Sequence, residues 1–186
     1  MPDAQATQAV VDELVGNAHG NLARVSELLD QHPDLLNAKA TWSETAIEAA
    51  TQMGNRPIIE HLIARGAPVD FFTGLVLGRL EQVEQELTAN PELATSRGVH
   101  DLPPLYFAAI GGRRAAAELL LAAGADVNAR AEAASPIHGA VMGGSAELVR
   151  LLLQHGADPS TPDYGGRDAP TLARELDRQE IAALVS

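Results

Sequence analysis

The 186-residue chain is 46% hydrophobic but only 3% aromatic, so its core must be built from Leu, Ala, Val and Ile, which suits helices better than sheets. It has no cysteine, which excludes a disulfide framework and any thiolate metal site. A net charge of -12 with 13 basic residues, Lys39 being the one lysine, leaves no basic stripe for phosphates, so nucleic acid is not an expected partner.

Along the chain, residues 1–10 lack the basic start and apolar run of a signal peptide, and no stretch approaches the roughly 18 apolar residues of a membrane span. A cytoplasmic location is the expectation. The first helical pair turns at Gly20-Asn21-Leu22, continues through Val25 and Leu28-Leu29, and ends at His32-Pro33-Asp34-Leu35. A second reads Thr45-Ala46-Ile47-Glu48-Ala49-Ala50, Gly54, Ile58-Ile59, Leu62-Ile63, Gly66-Ala67. The third, Gly78-Arg79-Leu80, Val83, Leu87, Asn90-Pro91-Glu92-Leu93, repeats the offsets of the first. Glu86 sits where stronger repeats hold leucine, which is consistent with a solvated edge.

The fourth and fifth pairs carry the clearest signal. Pro103-Pro104-Leu105-Tyr106-Phe107-Ala108, Gly112, Leu119-Leu120-Leu121 and Gly124-Ala125-Asp126-Val127-Asn128-Ala129 return as Ser135-Pro136-Ile137-His138-Gly139-Ala140, Gly144, Leu151-Leu152-Leu153 and Gly156-Ala157-Asp158. A hydroxyl followed by proline opens a helix, and the closing glycine ends one in a left-handed conformation. Apolar residues spaced like Leu148 and Leu152 share one helical face that a lone hairpin cannot bury, so neighbours must stack. Middle glycines 20 and 78, and likewise 54 and 112, lie 58 residues apart, the mark of a duplicated two-repeat module. The short interval between the second and third pairs leaves Gly66 to Asp70 without room for a full finger. A last pair, with Leu172-Ala173, Asp177 in the middle-glycine slot and Glu180-Ile181-Ala182-Ala183-Leu184, is polar enough to serve as a cap.

This frame resembles the ankyrin repeat family, whose marks are a Thr-Pro-Leu-His box, a central glycine and a closing Gly-Ala-Asp-x-Asn-Ala. The expected fold is therefore all-α: an ankyrin-repeat solenoid of about five helix-turn-helix repeats plus a C-terminal cap. The resemblance also implies short β-hairpin fingers at about Ala38–Glu44, Ser96–Leu102, Arg130–Ala134 and Thr161–Gly166. The chain reads as one domain, 1–186, with repeats near 10–40, 41–68, 69–98, 99–130 and 131–162 and a cap at 163–186.

Function follows from the resemblance rather than from any chemical motif. Ser135 and His138 fill structural slots of the box and no third member of a triad is specified. No histidine pairs with another His or a carboxylate in a compact metal motif, so no metal, no cofactor and no enzymatic activity are expected. The expected role is a monomeric scaffold binding another protein through its fingers and concave face, with Trp42, His100, Arg130 and Tyr164 as candidate contacts. The alternative is an acidic regulator that masks a basic surface of an enzyme or a nucleic-acid-binding protein. Residues 1–93 hold most of the negative charge, so a basic partner would be steered there.

Overall fold

In the computed structural model, residues 4–131 and 134–186 are described, and they form helices joined by tight turns. The chain divides into two compact units, Met1–Thr73 and Gly74–Ser186. In the first unit α1 (Ala4–Ala18) and α2 (Leu22–Gln31) pack as a pair, as do α3 (Ala46–Gln52) and α4 (Arg56–Ala64); α1 lies on α3 and α2 on α4. A seven-residue helix, α5 (Phe71–Leu77), runs across the division between the units.

The second unit contains α6 (Leu80–Ala89), then the pairs α7 (Pro104–Ile110) with α8 (Arg114–Ala122), α9 (Pro136–Gly143) with α10 (Ala146–Gln154), and α11 (Ala169–Glu175) with α12 (Gln179–Val185). First helices stack on first helices, α7 on α9 and α9 on α11, while second helices stack in a parallel row, α8 on α10 and α10 on α12. This is the helical repeat solenoid.

The sequence sets each boundary locally. Asn21, Asn55, Ser145 and Asp168 accept backbone N–H bonds as N-caps, and Thr45 with Glu48 makes a reciprocal capping box. His32-Pro33-Asp34 and Asn90-Pro91-Glu92 both open short 3-10 turns after a helix. Asp177 holds the left-handed φ of 52° that glycines supply at the equivalent turns.

All seven residues of α7 are buried, whereas α10 buries only Leu148, Val149, Leu151 and Leu152. First helices are thus enclosed between neighbours and second helices form an outer row with one wet face. Close approach of α9 to α7 depends on Gly143, where a Cβ would lie 2.5 Å from the Ile110 carbonyl oxygen.

The expected β-hairpin fingers are not seen among the described residues. Among the described residues there is no strand, only an isolated antiparallel bridge between Lys39 and Thr45. The loops are instead closed by backbone bonds of turn type, among them Ala40 N–H to Glu44, Gly98 to Leu102, Ala131 to Ala134 and Asp163 to Arg167. Between Gly66 and Asp70 the chain passes directly into α5, so the finger expected to be truncated is absent. Glu86 is half-buried and accepts a bond of 2.9 Å from Gln82.

Candidate functional site

The four candidate residues fall on loops between helical pairs. Trp42 belongs to the first unit. Its loop is tied to α1 by Asp12, whose carboxylate accepts the Thr41 N–H at 2.8 Å and hydroxyl at 3.0 Å. The Gln8 side-chain bond, aided by these, holds the Asp12 carboxyl below the ordinary range. The Trp42 indole N–H donates to Glu44 at 2.8 Å, and His19 lies 3.8 Å from the same carboxylate oxygen. Glu44 is buried, yet Trp42 as a whole remains 45% exposed. Trp42 is therefore anchored through its indole N–H while nearly half of its surface stays exposed.

In the second unit the remaining three residues lie on consecutive loops, and the structure joins those loops through arginines. Arg97 donates from Nη1 to the carbonyl oxygens of Asp101 at 3.2 Å and Arg130 at 3.0 Å. Arg130 in turn donates from Nη2 to the Pro162 carbonyl at 3.2 Å. Each guanidinium thus reaches the backbone of the next loop. His100, exposed on the Arg97 loop, and the following Asp101 both have left-handed φ, 54° and 60°. Glu132 and Ala133, inside the expected finger Arg130–Ala134, lie outside the described residues.

Tyr164 projects from the last loop with 80% of its surface exposed. The turn beneath it is fixed by Asp163, which accepts N–H bonds from Gly165 at 2.8 Å and Arg167 at 2.9 Å and takes the Arg167 guanidinium at 2.9 and 2.7 Å. Burial pushes the Asp163 carboxyl up, but the Arg167 bonds and charge outweigh it and hold the group below the ordinary carboxylate range. A rigid turn thus displays an exposed aromatic ring.

Ser135 and His138 have no access to a substrate. Both are buried, and the ring is used on both sides. Its Nδ1 accepts from the Ser135 N–H at 3.3 Å and lies 2.8 Å from the Ser135 hydroxyl, so the proton sits on Nε2 and is donated to the Arg167 carbonyl at 3.1 Å. The imidazole links the start of α9 to the base of the Tyr164 turn. Burial, more than any charge, lowers its basicity. Arg113, beside the glycine pair 111–112, donates from Nε to the Val76 carbonyl at 2.9 Å, and Arg114 pairs with Glu118 and Glu147. Among the described residues no group of three metal-ligating side chains converges, and no helix is long and apolar enough to cross a membrane.

Arg97 is the residue that sequence reasoning missed. Its signal was present: it stands 33 residues before Arg130, close to the repeat length, directly ahead of the residue that closes each loop. The structure brings Arg97, His100, Arg130 and Tyr164 onto consecutive loops of one unit; Trp42 belongs to the other.

A family model described as ankyrin repeats (3 copies) matches residues 78–163 and again 105–185. No curated protein matches the chain.

Proposed function

The chain belongs to the ankyrin repeat family, and from that membership we propose that it is a protein-binding module whose partner docks on the loops of residues 96–102, 130–134 and 161–166. Ankyrin repeats mediate protein–protein interactions. The observation that carries the placement is Tyr164, 80% exposed on a turn immobilised by Asp163 and Arg167. An aromatic side chain on a rigid support loses little entropy when a partner covers it, which is why such residues dominate binding energy at interfaces. Trp42, partly exposed and pinned by Glu44, is a second contact, on the first unit.

Affinity purification from the native cell, with the full chain and with Tyr164→Ala as baits, tests the reading. The expected result is a protein that co-elutes with the parent chain and is depleted about ten-fold or more with the variant, the loss typical of an aromatic hot spot. Equal recovery by both baits would place the contact elsewhere.

A further inference from the structure

Resting on the reading of these loops as the docking surface, we infer that Arg97 and Arg130 are positioning residues: they join the loops of residues 96–102, 130–134 and 161–166 in a relay, so that the loops order together rather than independently. The same device recurs in all three. A peptide unit is planar, so holding its N–H and its C=O at once fixes its orientation. In the first loop the unit between Asp101 and Leu102 donates its N–H to Val99 at 3.2 Å, and its carbonyl takes Arg97 Nη1 at 3.2 Å. In the second, the unit between Arg130 and Ala131 donates to Ala134 at 3.1 Å, and its carbonyl takes the same Arg97 Nη1 at 3.0 Å. In the third, the unit between Pro162 and Asp163 donates to Arg167 at 2.9 Å, and its carbonyl takes Arg130 Nη2 at 3.2 Å. Every N–H bond stays within its own loop segment, and every carbonyl is held by an arginine.

The relay has an anchored end and a strained end. At the anchored end the Arg167 carbonyl that receives the Asp163 N–H also receives Nε2–H of the buried His138, and the Asp163 carboxylate holds the N–H groups of Gly165 and Arg167. At the other end His100 and Asp101 both hold left-handed φ, 54° and 60°, which residues with a Cβ keep only where their surroundings impose it. Arg97 supplies part of that constraint through the Asp101 carbonyl. Its guanidinium is placed in turn by the Arg130 carbonyl, and the Arg130 loop is tied through its own side chain to the anchored turn at Pro162. Order thus passes from the last loop to the first. Coupling between sites is reciprocal, so a partner that immobilises the Arg130 loop also steadies residues 98–102 without touching them.

Hydrogen exchange read residue by residue by NMR on the free full-length chain tests this, in the parent, Arg97→Ala, Arg130→Ala and the double variant. In Arg97→Ala the protection of the Gly98, Asp101 and Leu102 amides should fall about three- to ten-fold, the range for losing one exposed hydrogen bond. Arg130→Ala should lower the protection of the same three amides, although its side chain is bonded to the opposite loop. Once Arg97 is replaced, Arg130→Ala should change them no further, because the relay is already cut. The Asp163 and Gly166 amides, and those of α7 and α9, should keep parent protection throughout, which also shows that each variant is folded. Unchanged protection of the three amides in Arg130→Ala, or an equal loss with and without Arg97, would show that the loops order independently and overturn the inference. Loss spread over α7 and α9 would overturn it as well, since the arginines would then support the unit at large. These results are obtained without a partner and bear on the relay alone; the docking reading stands or falls separately on recovery of a partner by the parent chain and by Tyr164→Ala.

Discussion

Two glycines show how one substitution changes sign with its surroundings. Gly16 lies in α1, and a methyl group added there would meet nothing within 4 Å, so Gly16→Ala should stabilise by about 0.5–1 kcal/mol, the usual helix preference for alanine. Gly143 also lies in a helix, but its Cβ would meet the Ile110 carbonyl oxygen at 2.5 Å, and backbone cannot yield as a flexible side chain can. Gly143→Ala should cost about 1–3 kcal/mol through overpacking. Urea midpoints moving in opposite directions are the expected result; midpoints that both rise would show that α7 and α9 have room to separate. His138 gives a pH prediction at the same scale. Burial lowers its folded pKa, so below about pH 6.5 the unfolded chain binds a proton that the folded chain refuses, and this contribution to stability falls as pH drops. Between about pH 7.5 and 5.5, a window that brackets the ordinary histidine pKa, the urea midpoint should fall further for the parent chain than for His138→Gln. Equal drops would mean that the imidazole does not carry the effect.

At the scale of the helix, Leu152 is fully buried on α10 and Gln154 is exposed two residues later. Leu152→Ala should cost about 2–5 kcal/mol and Gln154→Ala within about 0.5 kcal/mol, read as separate urea midpoints; coincident midpoints would contradict the register of α10. That register was legible in the sequence because a helical face repeats every few residues, and the turn glycines recur with the repeat. Asp177 could be assigned to a glycine slot for the same reason, and its φ of 52° agrees. The loops were less legible. Whether a few residues pair as strands or fold as turns depends on the stacked neighbours, and family resemblance supplied strand-paired fingers where Gly98 N–H to Leu102 closes a turn. The Arg97–Arg130–Pro162 links were hidden because a side chain reaching a carbonyl 32 or 33 residues away needs stacked loops before it has a partner. Tyr164 and Trp42 could be named from residue type and loop position, but the Asp163–Arg167 brace and the Glu44 anchor emerge only from the folded turn.

For the molecule as a whole, charge and architecture divide the labour. Helices carry much of the acidic surface, and in the second unit ion pairs cross between second helices, Arg114 with Glu147 and Arg150 with Glu180. These exposed pairs contribute little to stability, about 0–1 kcal/mol each, and their carboxylates favour solubility more than recognition. The proposed recognition surface is the loops, where side chains are free of core packing and the backbone is held by arginine and aspartate. The most direct test is hydrogen–deuterium exchange on the full chain, alone and with a partner recovered by affinity purification. Slowed exchange concentrated at residues 96–102 and 161–166, with the exposed face of α10 unchanged, is the result expected of a loop-docked partner. Slowed exchange confined to α8, α10 and α12, with the loops unaffected, would contradict it.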